Sequence, residues 1–344
     1  MDTIVLEKPG RLTLQQTDPP PAPAAGEAVV RVQRVGVCGT DIHAYGGNQP
    51  FFSYPRILGH ELGVEVVSVG DGVTNVRVGD RCAVEPYINC GRCPACRAGK
   101  TNCCTELVCL GVHGDGGMRE RIKLPAKKLH RSDKLSFDEL ALVETLGIGK
   151  HAVSRSRCEA GQTVAVVGLG PIGLTAVQFA HLAGAKVVAI DASPERCAKA
   201  AELYPAVQTL TIDPARPARE QWLEHHAEAP PIVLNATGHR GSMEDSFDLT
   251  GQGGTLVFIG LVLGDITFND PDFHRKELTL MSSRNSTATD FREIIETIES
   301  GAIDVRPWIT HRARAAEWPS VFDGWLSPAA GLLKGVIFFG ADDE

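Results

Sequence analysis

Cys90, Cys93, Cys96 and Cys104 fall within one polar loop at the spacing CxxCxxCx7C. Four thiolates this close in sequence can converge only if the loop folds back around a common point, and tetrahedral zinc is the ion that such a set saturates. A disulfide framework is the competing reading. It needs an oxidising compartment or a small chain without a sufficient core, whereas 344 residues allow about two domains with cores of their own. Residues Met1 to Gly10 lack the basic start and apolar run of a secretion signal, and no stretch is apolar enough over bilayer length to span a membrane. The expectation is a cytoplasmic protein whose ten cysteines are reduced, with a structural zinc lobe over residues 88–105. Cys103 breaks the ligand spacing. Cys82, Cys109, Cys158 and Cys197 read as ordinary buried thiols.

Upstream stand a separate Cys38 and the triplet Gly59-His60-Glu61. A mixed sulfur, nitrogen and carboxylate set can leave one coordination position open, so a second, catalytic zinc is expected there. The formal net charge of −8 argues against nucleic acid, which demands a clustered basic face. Lys127, Lys128 and His130 make only a short basic patch, read as a solvated turn. Pro19 to Pro23 reads as a stiff extended connector.

Between about Val29 and Val84 short strands are punctuated by glycines, among them Val29 to Val37 and Val64 to Val69, which predicts an irregular β-rich domain. Beyond Gly161 the rhythm changes to strand (Thr163 to Val167), helix (Pro171 to Ala183), strand (Lys186 to Ile190) and helix (Pro194 to Leu203). Further apolar strands at Pro231 to Asn235, Thr255 to Gly260 and Leu278 to Met281 complete the pattern of a doubly wound parallel sheet. The fold class expected is α/β, with a Rossmann sheet beside the β-rich domain. The boundaries are 1–149 for the catalytic domain, 150–284 for the nucleotide-binding domain and 285–344 for a return to the first.

The loop Gly168-Leu169-Gly170-Pro171-Ile172-Gly173 joins the first of those strands to its helix. In that setting its glycines permit a tight turn and close approach of backbone to a pyrophosphate at the helix N-terminus. Asp191 ends the second strand, where a carboxylate accepts hydrogen bonds from the adenosine 2'-hydroxyl and repels a 2'-phosphate, so the cofactor expected is NAD rather than NADP. Arg196 is a further candidate for the adenosine ribose, or an exposed helix arginine.

With the GHE triplet, the four-cysteine lobe and the glycine loop in this order, the whole chain resembles the zinc-dependent medium-chain dehydrogenases, whose catalytic domain is GroES-like. Within them it is most similar to the polyol and sugar-acid branch. The segments Cys38 to His43, Gly46 to Glu61 and Ser283 to Asn285 resemble the L-galactonate 5-dehydrogenase group. The resemblance implies that Cys38 and His60 bind the catalytic zinc, that Glu61 approaches it directly or through water, and that Glu144 is a third or fourth ligand. It also implies that Asp41 orients the His60 imidazole, that Thr40 and His43 relay the alcohol proton toward solvent, and that Lys334 lies near the cofactor pyrophosphate.

Arg284 and Asn285 are candidates for a hydroxyl-rich substrate or its carboxylate, and Tyr45, Phe51 and Phe52 for walls of the cleft. His113 is a loop histidine that either lines the cleft or has no role. Two departures from the family pattern stand out. Glycine is expected three residues after the GHE glutamate, but Val64 occupies that place with Gly63 one position early, which questions local strand packing; and Thr145 replaces the usual proline after Glu144.

The expected function is oxidation of a secondary alcohol in a small polyol or an L-galactonate-like sugar acid, with two zinc ions and NAD. A homodimer or homotetramer is implied, the edge strand being sought at Thr255 to Gly260; neither nucleic acid nor membrane is an expected partner. The alternatives are a threonine-type, sorbitol-type or simple alcohol dehydrogenase, and a non-catalytic zinc-binding regulatory protein.

Overall fold

The computed structural model describes residues 1–49 and 52–340. It divides into two compact units, Met1–Thr145 with the chain from Ser286 onward, and Leu146–Asn285.

In the first unit β1 (Asp2–Lys8) and β2 (Arg11–Gln16) form an antiparallel pair, followed by β3 (Glu27–Val37), helix α1 (Gly39–Tyr45), β4 (Glu61–Val69) and β5 (Arg81–Val84). The short strands β6 (Tyr87–Ile88) and β7 (Val108–Cys109) pair with each other and enclose the four-cysteine loop, which carries helix α2 (Pro94–Arg97). Next come β8 (Arg121–Pro125), β9 (Leu129–Arg131) and the first half of α3 (Phe137–Ser156). β3 is apolar at most positions because it is central, pairing with β4 and with β8; a strand covered on both sides and both faces shows little alternation.

The displaced glycine has a structural explanation. The β3–β4 register slips between Val32 and Arg34, opposite Val64 and Gly63, so that Gln33 is the extra residue of a bulge. A Cβ on Gly63 would lie 2.1 Å from the Phe137 carbonyl oxygen, so this glycine lets the start of α3 close onto the strand. The basic patch, by contrast, is a solvated turn only at Lys127, which is exposed. Lys128 and His130 are buried around the Glu85 carboxylate, whose Oε2 lies 3.2 Å from His130 Nε2 while Oε1 accepts from Lys128 Nζ. Cys158 is only half-buried, unlike Cys82, Cys109 and Cys197.

The second unit alternates strands and helices: β10 (Thr163–Val167), α4 (Pro171–Leu182), β11 (Lys186–Asp191), α5 (Pro194–Leu203), β12 (Gln208–Thr211), α6 (Ala218–Leu223), β13 (Ile232–Asn235), α7 (Arg240–Leu249), β14 (Thr255–Phe258), α8 (Asp270–Arg275) and β15 (Thr279–Ser282). All pairs are parallel in the order β12-β11-β10-β13-β14-β15. Ala165, Val167, Val188, Ile190, Val233 and Leu256 build its core. Helices joining parallel strands cover both faces of such a sheet, which is why these strands read as nearly continuous apolar runs. The segment at Thr255 to Gly260 is therefore no edge, because β14 pairs on both sides; β12 and β15 are the outer strands.

After α9 (Ala288–Glu299) the chain adds β16 (Ile309–Arg314), α10 (Trp318–Trp325) and β17 (Lys334–Phe338) to the first unit, where β17 runs antiparallel to β3. Lys334 thereby reaches the interior of that sheet. No helix among the described residues is long and apolar enough to cross a membrane.

Candidate metal centres and cofactor loop

The sulfurs of Cys90, Cys93, Cys96 and Cys104 all lie within 4.8 Å of one another. Each accepts an N–H: Cys90 from the Cys93 amide (3.4 Å), Cys93 from the Cys96 amide (3.4 Å), Cys96 from Asn89 Nδ2 (3.5 Å) and Cys104 from the Cys90 and Glu106 amides (3.3 Å each). Pro94 at the first position of α2 turns the chain so that Cys93 caps that helix. The Cys96 and Thr105 amides bring the Cys93 thiol down to about 6, and backbone donors also lower Cys90. Cys104, although the Cys90 amide lowers it, is pushed up to about 11 by burial and by protons shared with Cys90 and Cys96. Cys103 is exposed and outside the cluster.

The second group draws on distant parts of the chain. Cys38 ends the approach to α1, while His60 and Glu61 lie at the start of β4; their donor atoms also stand within 4.8 Å of one another. Gly59 makes the turn into β4 at φ +92, where a Cβ would press on Met118 and Val35 at 2.9 Å. Across the β3–β4 ladder Gly36 faces Glu61. A Cβ on Gly36 would fall 2.1 Å from Glu61 Oε2 and 2.9 Å from its Cβ, so the bare backbone makes the recess for that carboxylate.

Lys334 is buried at 2% exposure and donates to Glu61 Oε1 (2.7 Å), Glu61 Oε2 (2.9 Å) and the Val37 carbonyl (3.3 Å). These contacts use all three donors of an ammonium, so the pyrophosphate assignment gives way to a role in holding the Glu61 carboxylate. Burial pushes the Glu61 carboxyl up, but the charges of Lys334 and His60 outweigh it and keep it low.

Glu144, on α3, is buried beside this group, with Oε1 accepting from the Tyr87 hydroxyl, yet it is not among the three mutually close donors. Burial raises its carboxyl against the pull of His60. Asp41 differs from expectation. Its Oδ2 accepts from the Cys38 amide (2.9 Å), closing the capping box of α1, whereas Asp41 Oδ1 and His60 Nδ1 are both buried without a hydrogen-bond partner. The capping geometry takes precedence over the imidazole contact.

Three buried carboxylates, Asp41, Glu61 and Glu144, and the half-buried Cys38 thus lie together, with Lys334 and His60 as the cations that act on them. Buried charge of one sign is costly unless neutralised. Together with the unpartnered His60 Nδ1 and the mixed donor set, this fits a divalent ion of zinc's preference for nitrogen, sulfur and carboxylate.

Thr40 and His43 lie three residues apart on α1, hence on one face, half-buried and exposed respectively. His113 is exposed, and its Nδ1 accepts from the Cys109 amide at 3.0 Å. Tyr45 bonds Asp323 at 2.7 Å and packs edge-on to Phe322, while Phe52 packs on Tyr54. Phe51 lies outside the described residues.

In the second unit Gly168 turns at φ +91, and a Cβ on Gly173 would sit 1.7 Å from the Gly168 carbonyl oxygen, so no side chain fits where α4 meets the loop. Gly170 caps α4 and has open space before it. Asp191 accepts from the Leu169 amide (2.7 Å) and the Ser193 amide (2.9 Å), and Arg196 approaches it to 3.7 Å. Arg284 is exposed and Asn285 half-buried at φ +53, both after β15. Residues that the sequence reading did not single out, Tyr87, Gly36 and the Asn235–Thr237 contacts beside Gly168, carry no local motif; only the strand register reveals the first two.

Residues 24–134 match the alcohol dehydrogenase GroES-like domain, and residues 171–300 match the zinc-binding dehydrogenase domain. L-galactonate-5-dehydrogenase of Escherichia coli K12 is 40% identical over 341 residues, 98% of this chain and 99% of that protein. Among solved structures, an alcohol dehydrogenase (rspB) of E. coli CFT073 complexed with NADH superposes at a TM-score of 0.91 with 31% identity, covering 98% and 99% of the two chains. A zinc-binding dehydrogenase of Sinorhizobium meliloti 1021 bound to NADP gives 0.87 and 30% over 98% and 99%. The chain belongs to the zinc-dependent medium-chain dehydrogenase family, in its polyol and sugar-acid branch, and is an oxidoreductase of that family.

Proposed function

We propose that the chain oxidises a secondary alcohol of an L-galactonate-like sugar acid or a related polyol and delivers the hydride to NAD. The observation that carries this reading is the convergence of the Cys38, His60 and Glu61 donor atoms within 4.8 Å of one another, apart from a self-contained four-cysteine lobe. Cys38, His60 and a carboxylate from Glu61 or Glu144 would hold the catalytic zinc, and Cys90, Cys93, Cys96 and Cys104 would hold the structural one. A zinc bound there would supply Lewis acidity toward the substrate's alcohol oxygen.

The chain's own groups do the rest. The Thr40 hydroxyl accepts the alcohol proton as it gives its own to His43, which, exposed on the same face of α1, releases a proton to solvent. Gly168 to Gly173 receive the pyrophosphate at the start of α4. Asp191, beside Arg196, accepts the adenosine ribose hydroxyls, and its charge favours NAD over NADP. Arg284 and Asn285 bind the substrate's hydroxyls or carboxylate. Residues 1–149 with 285–344 serve as the catalytic domain and 150–284 as the NAD-binding domain. Ligand thiols must stay reduced, which favours the cytoplasm as the compartment. A homodimer or homotetramer is expected, with the outer strand β15 as the contact.

The test is a panel of aldonates, alditols, threonine and short alcohols, followed by NAD and NADP reduction. Preference for L-galactonate with NAD supports the reading; preference for threonine, sorbitol or a short alcohol reassigns the substrate. A protein that holds zinc and reduces neither cofactor with any of them is a binding protein.

A further inference from the structure

The four-cysteine lobe is closed at its base by the β6–β7 pair, in which Tyr87 lies opposite Cys109. Both side chains are buried, so the neck of the lobe points into the protein rather than to solvent. There the Tyr87 hydroxyl donates to Glu144 Oε1. Glu144 is 4% exposed and lies near enough to feel the charges of His60 and Glu61, yet its carboxylate is not one of the three mutually close donors. Of that carboxylate's two oxygens, Oε1 is engaged and Oε2 remains to accept a cation.

We propose that Tyr87 is a positioning residue for the catalytic metal: its hydroxyl, carried on the neck of the four-cysteine lobe, fixes the Glu144 carboxylate beside Cys38, His60 and Glu61. The proposal rests on the zinc reading of that group. A hydrogen bond to a ligating carboxylate orients it and tunes its hold on the metal. The contact also joins the two cysteine-bearing regions physically, because a strand that begins at Tyr87 continues directly into Asn89 and Cys90.

The experiment uses the full-length zinc-loaded protein and Tyr87→Phe, which keeps the ring and removes only the hydroxyl. Zinc per chain is counted, affinity of the more labile zinc is measured by chelator competition, and that zinc is exchanged for cobalt(II) to record its visible absorption. Tyr87→Phe is expected to keep the lobe zinc, bind the other about 10- to 100-fold more weakly, and shift the cobalt bands. In a Glu144→Ala background the same substitution is expected to change nothing further, since the tyrosine acts through that carboxylate.

Affinity within twofold of wild type with an unchanged cobalt spectrum overturns the proposal. So does a Tyr87→Phe effect that persists undiminished in Glu144→Ala. A wild-type chain that binds only the lobe zinc overturns both this proposal and the reading of the Cys38–His60 group, whereas two zincs with an indifferent Tyr87→Phe overturns this proposal alone.

Discussion

The two cysteine-bearing groups of the first unit are built on opposite plans. In the lobe, four ligands come from fifteen consecutive residues, and every sulfur already receives an N–H from its own loop. At the other group the participants are Cys38, His60, Glu61, Glu144 and Lys334, drawn from strands and helices across nearly the full sequence, and His60 Nδ1 is left without a partner. The difference is what the proposed roles require: a metal that closes a loop needs ligands satisfied locally, whereas a metal that reacts needs donors of mixed chemistry held by remote elements.

Breaking the lobe should give the largest effect. Cys93→Ser is expected to lose the lobe zinc and with it several kcal/mol, since structural zinc is worth about 10–16 kcal/mol to small zinc peptides and only part of this protein depends on it. Calorimetry with zinc analysis checks this; a variant as stable as wild type would erase the contrast between the two groups.

Lys334 probes the remote plan. Lys334→Met leaves the Glu61 carboxylate buried without its cation and is expected to cost about 3–5 kcal/mol of stability, measured by denaturant unfolding. Lys334→Arg should recover much of it. Equal stability of all three proteins would mean that Glu61 finds another partner.

A smaller effect is expected at Gly36. Gly36→Ala places a methyl against Glu61 and is expected to cost about 1–3 kcal/mol by overpacking, lowering occupancy of the Cys38–His60 group and sparing the lobe. Metal analysis that shows the lobe zinc lost instead would reverse the assignment.

The smallest effect sharpens the comparison from outside both groups. Burial raises the Glu85 carboxyl, but His130 and Lys128 outweigh this and hold it below its ordinary value. A depressed carboxyl stabilises the fold above the unfolded value of about 4.3 and loses that contribution as pH falls through its folded value. Wild-type stability should therefore decline below about pH 4, and Glu85→Gln, less stable at neutral pH, should decline less. Parallel acid profiles would show that Glu85 gains nothing from its two partners.

These same contrasts decide what was legible in the sequence. Cys90 to Cys104 and Gly168 to Gly173 announce themselves because ligand spacing and turn chemistry are local; the strands β10, β11 and β13 follow from apolar runs. Lys334 was found by resemblance and given a different partner, because only the pairing of β17 with β3 carries its ammonium to Glu61. Tyr87 and Gly36 have no sequence signal at all: one is an aromatic residue at the neck of a loop, the other a strand glycine, and their meaning comes from the residues opposite them. Lys128 and His130 look like a basic turn until Glu85 is seen to bury them. β12 escaped notice because its four residues, Gln208 to Thr211, hold only one leucine among polar side chains.

The most direct test is the zinc content per chain of wild type and His60→Ala, measured beside NAD reduction with L-galactonate. Two zinc ions in wild type, one in His60→Ala with the fold intact, and activity reduced by roughly 10²–10³ or more, the scale of removing transition-state charge stabilisation, are the results predicted. Two ions retained in His60→Ala, or activity undiminished after one is lost, would contradict the account.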